Sequence, residues 1–215
     1  MDINTNIFRA YDIRGVAYED LTEELVSNIG KSLGTSSLNR GENLLIVARD
    51  GRNSSSDMYE WLSGGIRSTG CNVLNIGIVP TPLLYFSTFK LSSSSGVMIT
   101  GSHNPPEYNG FKIVRDNKTI SGETIQEVKL NILENKFLTG KGLVSETEIV
   151  EMYSDELRNN IDILRPVKLA IDCGNGAASI LAKAVYESLG CEVESIYSSL
   201  DGNFPNHHPD PSKPE

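Results

Sequence analysis

Cysteine is scarce in this 215-residue chain, and its three copies, Cys71, Cys173 and Cys191, share no Cys-x-x-Cys spacing. An odd number so placed argues against a disulfide frame or a thiolate zinc site and reads as buried thiols in a reducing compartment. Long apolar runs are also missing. The longest are about one strand in length, well short of the ~20 residues that a membrane helix needs. No basic stripe offsets the formal net charge of −9, which argues against a nucleic-acid partner. Met1-Asp-Ile-Asn-Thr-Asn6 has no basic stretch followed by an apolar core, so no secretory leader is expected. These absences together lead us to expect a cytoplasmic protein that binds neither nucleic acid nor membrane.

What is present suffices for a folded core: 39% of residues are hydrophobic and 22% charged. Asp20-Leu-Thr-Glu23 resembles a capping box with Asp20 at the cap, followed by Leu21, Leu25, Val26, Ile29 and Leu33 at helical spacing, with Gly34 as a stop. Asn43–Ala48 is a near-continuous apolar run, as in a parallel strand covered on both faces. A loop, Arg49-Asp-Gly-Arg52, and capping serines at 54–56 lead into a helix striped by Met58, Trp61, Leu62 and Ile66, which Gly70 ends. Cys71–Ile76 is the next strand, completing a right-handed βαβ unit. Pro80-Thr-Pro82 opens a short helix, and Ser92–Ser95 reads as a solvated loop. Ser121 is expected to cap a helix carrying Ile125, Val128, Ile132 and Leu133 on one face.

Residues 138–147 read as a polar connection with a domain boundary, and a helix with Val150, Tyr153, Leu157 and Ile161 follows. The first pattern then recurs. Val167–Ile171 is a strand, Asp172-Cys-Gly-Asn-Gly-Ala177 a tight loop, Ile180–Leu189 a helix, and Gly190-Cys-Glu-Val193 a second strand start. This weak repeat predicts two related α/β domains, over residues 1–145 and 146–215, the second of them incomplete. Asp50 and Asp172 are expected to cap helices. His207 and His208 have no ligand spacing and read as structural.

The chemistry concentrates in Ile99-Thr-Gly-Ser-His-Asn-Pro-Pro-Glu-Tyr-Asn-Gly-Phe-Lys112. Two short apolar runs, Gly96–Thr100 and Gly110–Val114, flank a loop that offers one hydroxyl, Ser102, and one imidazole, His103. Gly101 would let the backbone approach a ligand, and Pro105-Pro106 would hold the loop in one shape. An ordinary crossover or hairpin loop has the same composition. A serine–histidine hydrolase is a second option, but neighbours on extended backbone point opposite ways, and no Gly-x-Ser-x-Gly elbow is found. A phosphoserine suits the surroundings better, because Arg9, Arg14 and Lys112 could complement its charge.

Phe8-Arg-Ala-Tyr-Asp-Ile-Arg-Gly15, the Thr100–Lys112 segment, Asp172-Cys-Gly-Asn-Gly176 and Asp201-Gly-Asn-Phe-Pro-Asn-His-His-Pro-Asp-Pro211 together resemble the α-D-phosphohexomutase family, in its phosphomannomutase/phosphoglucomutase branch. The resemblance implies a three-layer α/β/α domain with a mixed, largely parallel sheet, then an incomplete second domain of the same type. It implies reversible transfer of phosphate between O1 and O6 of a hexose through a 1,6-bisphosphate. By the same match Ser102 is the phosphoserine and a Mg²⁺ ligand through its phosphate, Lys112 the general base and Arg14 a cation beside the phosphoryl group. His103 lies next to the phosphoserine, and Tyr11 and Arg9 contact the substrate, a glucose or mannose phosphate handled by a monomer. The family's metal loop, sugar-reading loop and phosphate-reading loop are not found, so the chain alone is expected to be inactive. A non-catalytic sugar-phosphate-binding or assembly module is the alternative, and a phosphatase using the same serine a third option.

Overall fold

A computed structural model describes residues 4–213; Met1–Ile3, which belong to the stretch read for a leader, lie outside the described residues, as do 214–215. The strands are β1 (Ile13–Val16), β2 (Leu44–Arg49), β3 (Asn72–Ile78), β4 (Gly96–Ile99), β5 (Tyr108–Arg115), β6 (Lys118–Thr119), β7 (Val144–Glu146), β8 (Lys168–Asp172) and β9 (Glu192–Ile196). The helices are α1 (Glu23–Asn39), α2 (Ser55–Arg67), α3 (Thr81–Lys90), α4 (Glu123–Leu133), α5 (Val150–Asn160) and α6 (Ala182–Ser188). The main sheet runs β1-β5-β4-β2-β3-β7, with β6 beside β5.

Connection length sets the strand directions. β2, β3, β4 and β7 are mutually parallel, as long helical crossovers allow. Only residues 100–107 join β4 to β5, fewer than the dozen or so that a crossover takes, so β5 must return antiparallel. The serine loop is that return. It therefore sits at the carboxyl end of β4, beside the loop that leaves the carboxyl end of β2.

Alternation along the strands sorts side chains to two faces. Leu45, Val47, Val97, Ile99, Phe111 and Ile113 face α1, α2 and α4, whereas Ile46, Ala48, Met98 and Val114 face α3. The result is the expected α/β/α sandwich. Beyond it, β8 and β9 pair in parallel around α6, repeating the β2–α2–β3 unit in small form. This second unit is thinly buried by itself. Leu181 and Val185 instead join Leu83, Leu84 and Ile149 in the first unit's second core.

Several local expectations are corrected. α1 is capped by Thr22, whose Oγ1 accepts from the Leu25 amide, while Asp20 accepts from the Val16 amide and closes the turn before it. Gly34 does not stop α1, which continues to Asn39. A Cβ at Gly34 would lie 2.5 Å from Thr69 Oγ1, and one at Gly65 only 2.1 Å from the Ser27 carbonyl oxygen. Glycine is present there because the two helix backbones nearly touch. α4 starts after Gly122 at φ 53°, a turn glycine takes at little cost, and Leu133 faces solvent. The 138–147 connection contains β7, which extends the sheet alongside β3. The 92–95 patch is no solvated loop either. Ser93 and Ser95 are buried, and Ser93, Ser94 and Ser95 all donate hydroxyls to the Glu42 carboxylate.

Burial pushes the Glu42 carboxyl up, but hydrogen bonds from Ser95 and Ser94 and the charge of Arg40 outweigh it and hold the group below its ordinary range. A depressed carboxyl stabilises the fold above its unfolded-state value, and that contribution disappears as pH falls through the folded value. Glu42→Gln should therefore flatten the acid limb of a stability-against-pH curve measured by urea unfolding. The helix contact predicts opposite signs at neighbouring glycines. Gly64 has nothing within 4 Å of an added Cβ, so Gly64→Ala should stabilise by about 0.5–1 kcal/mol. Gly65→Ala should destabilise by about 1–3 kcal/mol, because the Ser27 carbonyl blocks the methyl. Thermal melts of the two variants read both.

Candidate functional site

Ser102 lies just past β4, exposed, with φ of 56°. Its amide donates to Thr100 Oγ1 at 2.9 Å, and Asn104 donates both its amide and its side chain to the Gly101 carbonyl. The left-handed turn changes one expectation. Ser102 Oγ and His103 Nδ1 come within 3.4 Å, a loose contact that extended backbone would have prevented.

Register brings two more of the named residues together. Arg14 on β1 pairs with Gly110 on β5, two residues before Lys112. Ile13 and Phe111 point into the first core, so Arg14 and Lys112 share the opposite face as diagonal neighbours. Both are half-buried, and Arg14 is ion-paired with Asp12. Lys112 pairs with Met98, on the strand that leads to Ser102. Arg9 and Tyr11 lie in the bend before β1, Tyr11 is 75% exposed, and of the expected site residues Ser102 alone lines the cleft described below; His103, Arg14, Lys112, Arg9 and Tyr11 do not.

The residue that sequence reasoning missed is Arg52. Its side chain is fully buried under the serine loop. Nη1 donates to the carbonyls of Pro105 and Tyr108 (2.5 and 3.0 Å), and Nη2 to those of Ser102 and Asn104 (2.9 and 2.7 Å). Nε donates to Asp50 Oδ2 at 3.2 Å. Burial pushes the guanidinium down from its ordinary value, and the charge and hydrogen bond of Asp50 oppose that shift. Gly101 serves this clamp rather than a ligand, since a Cβ there would lie 2.5 Å from the guanidinium carbon. Asp50 is not a helix cap. It accepts from the amides of Arg52 and Gly101 and from the Ser55 hydroxyl, tying the β2 and β4 loops together. The available signal was the Asp-Gly-Arg directly after a buried parallel strand, since ligands of open α/β sheets gather at that end.

Ser102 lines a cleft of about 230 Å³ between the two units, with Asp50, Thr81, Gly174, Ala178 and Phe204 among its walls. Cys173 also lines it and is half-exposed, unlike the buried Cys71 and Cys191; all three thiols are free. Burial pushes the Cys71 thiol up to about 11, so it is inert at neutral pH. Asp172 accepts from the Gly174 amide and contacts His207 Nε2 at 3.0 Å, closing its loop instead of capping a helix. Among the described residues no three His, Cys, Asp or Glu side chains gather in a way that could hold a metal ion. Asp50, whose carboxylate is hydrogen-bonded to the serine loop at Gly101, is already committed to Arg52, Ser55 and that amide. A Mg²⁺ ion takes an octahedral shell of oxygens, and these residues do not supply one around Ser102.

Comparison with known proteins gives this geometry a setting. Residues 5–139 match the model for phosphoglucomutase/phosphomannomutase alpha/beta/alpha domain I, and residues 151–215 match that for domain II. The chain belongs to the phosphoglucomutase/phosphomannomutase family. It is 48% identical over 210 residues to a phosphomannomutase/phosphoglucomutase of Pseudomonas aeruginosa, covering 98% of this chain and 45% of that protein. It is 42% identical over 215 residues to a phosphoglucomutase of Neisseria gonorrhoeae, covering 99% of this chain and 47% of the relative. An X-ray structure of a phosphoglucomutase/phosphomannomutase family protein from Burkholderia thailandensis superposes with a TM-score of 0.95 at 40% identity. That superposition covers 99% of this chain and 48% of the solved one. The chain thus spans about half the length of these phosphohexomutase relatives. Among the described residues no helix is long and apolar enough to cross a membrane.

Proposed function

We propose that this chain carries the phosphoryl-accepting half of a phosphohexomutase that moves phosphate between O1 and O6 of glucose or mannose, through a hexose 1,6-bisphosphate. The observation that carries the reading is the exposed Ser102 hydroxyl, held at a strand end on a clamped loop and facing a cleft between the two units. In the transfer step Ser102 Oγ bonds to phosphorus as the bond from phosphorus to a sugar oxygen breaks. The serine proton passes to a base, and the departing sugar oxygen gains a proton. Lys112 is the base in this reading and Arg14 offsets charge on the phosphoryl oxygens. His103 hydrogen-bonds beside the serine, and Arg9 and Tyr11 contact the sugar phosphate as it arrives.

Mg²⁺ is part of the family chemistry, but no step is assigned to it on this chain, whose described residues do not fit it. We take residues 1–145 as the phosphoserine domain and 146–215 as part of the second. A cytoplasmic setting fits the three free thiols. The alternative for the chain by itself is a sugar-phosphate-binding or assembly module that keeps the serine loop.

Intact-mass spectrometry after incubation with glucose 1,6-bisphosphate should show one phosphoryl adduct on this chain, absent from Ser102→Ala. No adduct on the wild-type chain would leave the binding-module reading in its place. Mutase turnover from glucose 1-phosphate by the 215-residue chain alone should fall at least ~100-fold below that of a longer relative, because positioning of the distal phosphate is lost. A coupled assay reads this, and comparable turnover would refute it.

A further inference from the structure

Arg52 and the second unit's Leu200–Pro211 segment form an assembly that the transfer reading does not use. The five N–H groups of a guanidinium are fixed in a planar fork. Here all five are engaged: one with Asp50 and four with carbonyls spread across the serine loop from Ser102 to Tyr108. The outer side of the guanidinium is closed by Phe204, whose ring centre is 5.0 Å from Arg52 Cζ. Phe204 holds φ of 50°, a conformation uncommon for an aromatic residue, and its amide donates to the Asp201 carbonyl. The segment is anchored at its base, where the Asp201 amide donates to the Asn175 carbonyl and Asn175 Nδ2 to the Ser199 carbonyl. It also meets the first unit closely. Asn53 Nδ2 donates to Asn203 Oδ1 at 2.8 Å, and a Cβ at Gly202 would lie 2.5 Å from the Asn53 amide nitrogen.

We propose that Arg52 is the positioning residue of the serine loop and that Phe204 is its lid, so that seating of the second unit on the first fixes where the Ser102 hydroxyl points. The proposal rests on the reading of Ser102 as the phosphoryl carrier. A non-glycine residue at φ of 56° holds its conformation only if its surroundings over-determine it, and Ser102 is held at its amide by Thr100 Oγ1 and at its carbonyl by Arg52. Three neighbouring bonds fix the rest of the loop. Phe204 excludes water that would otherwise compete for the guanidinium, and bonds kept in a dry site are stronger. Lysine cannot replace the fork, since one ammonium with three donors cannot serve four carbonyls and Asp50.

The test uses Arg52→Lys and Phe204→Leu, which keep charge and apolar bulk respectively. Hydrogen exchange by mass spectrometry should show residues 100–108 exchanging at least ~10-fold faster in Arg52→Lys and about 3-fold faster in Phe204→Leu, with α1 and α2 unchanged. In the protein that carries this chain, phosphoryl uptake by Ser102 from glucose 1,6-bisphosphate should slow about 10-fold in Arg52→Lys through kcat, with KM within about 2-fold. Wild-type exchange in residues 100–108 of Arg52→Lys overturns the proposal, as does a loss confined to KM. If Arg52→Lys fails to fold by circular dichroism, Phe204→Leu decides, and unchanged loop exchange in that folded variant overturns the proposal. Wild-type Ser102 that accepts no phosphoryl group defeats the transfer reading instead, and the exchange comparison still judges the clamp.

Discussion

One buried guanidinium stands where two parallel strands end, and the order of the site depends on it. β2 and β4 are adjacent and parallel, so the loops leaving their carboxyl ends must share space. The β4 loop is a short return with many carbonyls turned inward and no helix to pair them. Buried carbonyls without donors cost about 1–3 kcal/mol each, and four of them lie within reach of Arg52. The β2 loop supplies the donor, and Asp50 balances its charge from the same turn. Neither loop would keep its shape without the other.

The rest of the sandwich makes that meeting reproducible. The α1–α2 contact is close because glycines let backbone meet backbone, and it backs the sheet face that carries Val47, Val97 and Ile99. On the other face α3 and α5 fill the second core, and α6 leans into it through Leu181 and Val185. The second unit is therefore held to the first by shared apolar burial as well as by the 200–211 segment. A two-stranded sheet has too little surface to organise a core alone, so its position is set largely by what it rests on.

Much of this was legible in the residues. Apolar runs at Asn43–Ala48 and Gly96–Thr100, helical spacing after Asp20, and the repeat at Val167 gave the strands, helices and parallel unit, with strand ends off by one or two residues and the end of α1 off by five. What was not legible depended on contacts between distant segments. Gly34 reads as a stop until a second helix is laid against it, and four serines in a row read as solvated until Glu42 is found beneath them. Gly101 reads as room for a ligand until Arg52 fills that room. Ser102 and His103 could be named as site candidates from their loop, but their approach to one another depends on a backbone angle that spacing does not encode. Arg52 lies 50 residues before Ser102, and no local pattern ties the two.

Electrostatics adds a last constraint on how such a site can handle a phosphate ester. The chain carries a net charge of −9, so at long range it repels a dianion. At physiological ionic strength that repulsion fades within about 8 Å, the screening length. Capture must therefore be local, by cations that a phosphate meets only on contact. Arg14 and Lys112 share one sheet face next to the strand that leads to Ser102, and each is half-buried, which lowers the effective dielectric around it. Arg14 is already paired with Asp12, so an arriving phosphate must compete with that carboxylate. Arg52 is fully committed to the loop, so in the proposed reading the phosphoryl charge falls to Arg14 once it is released from Asp12, while Lys112 beside it takes the serine proton.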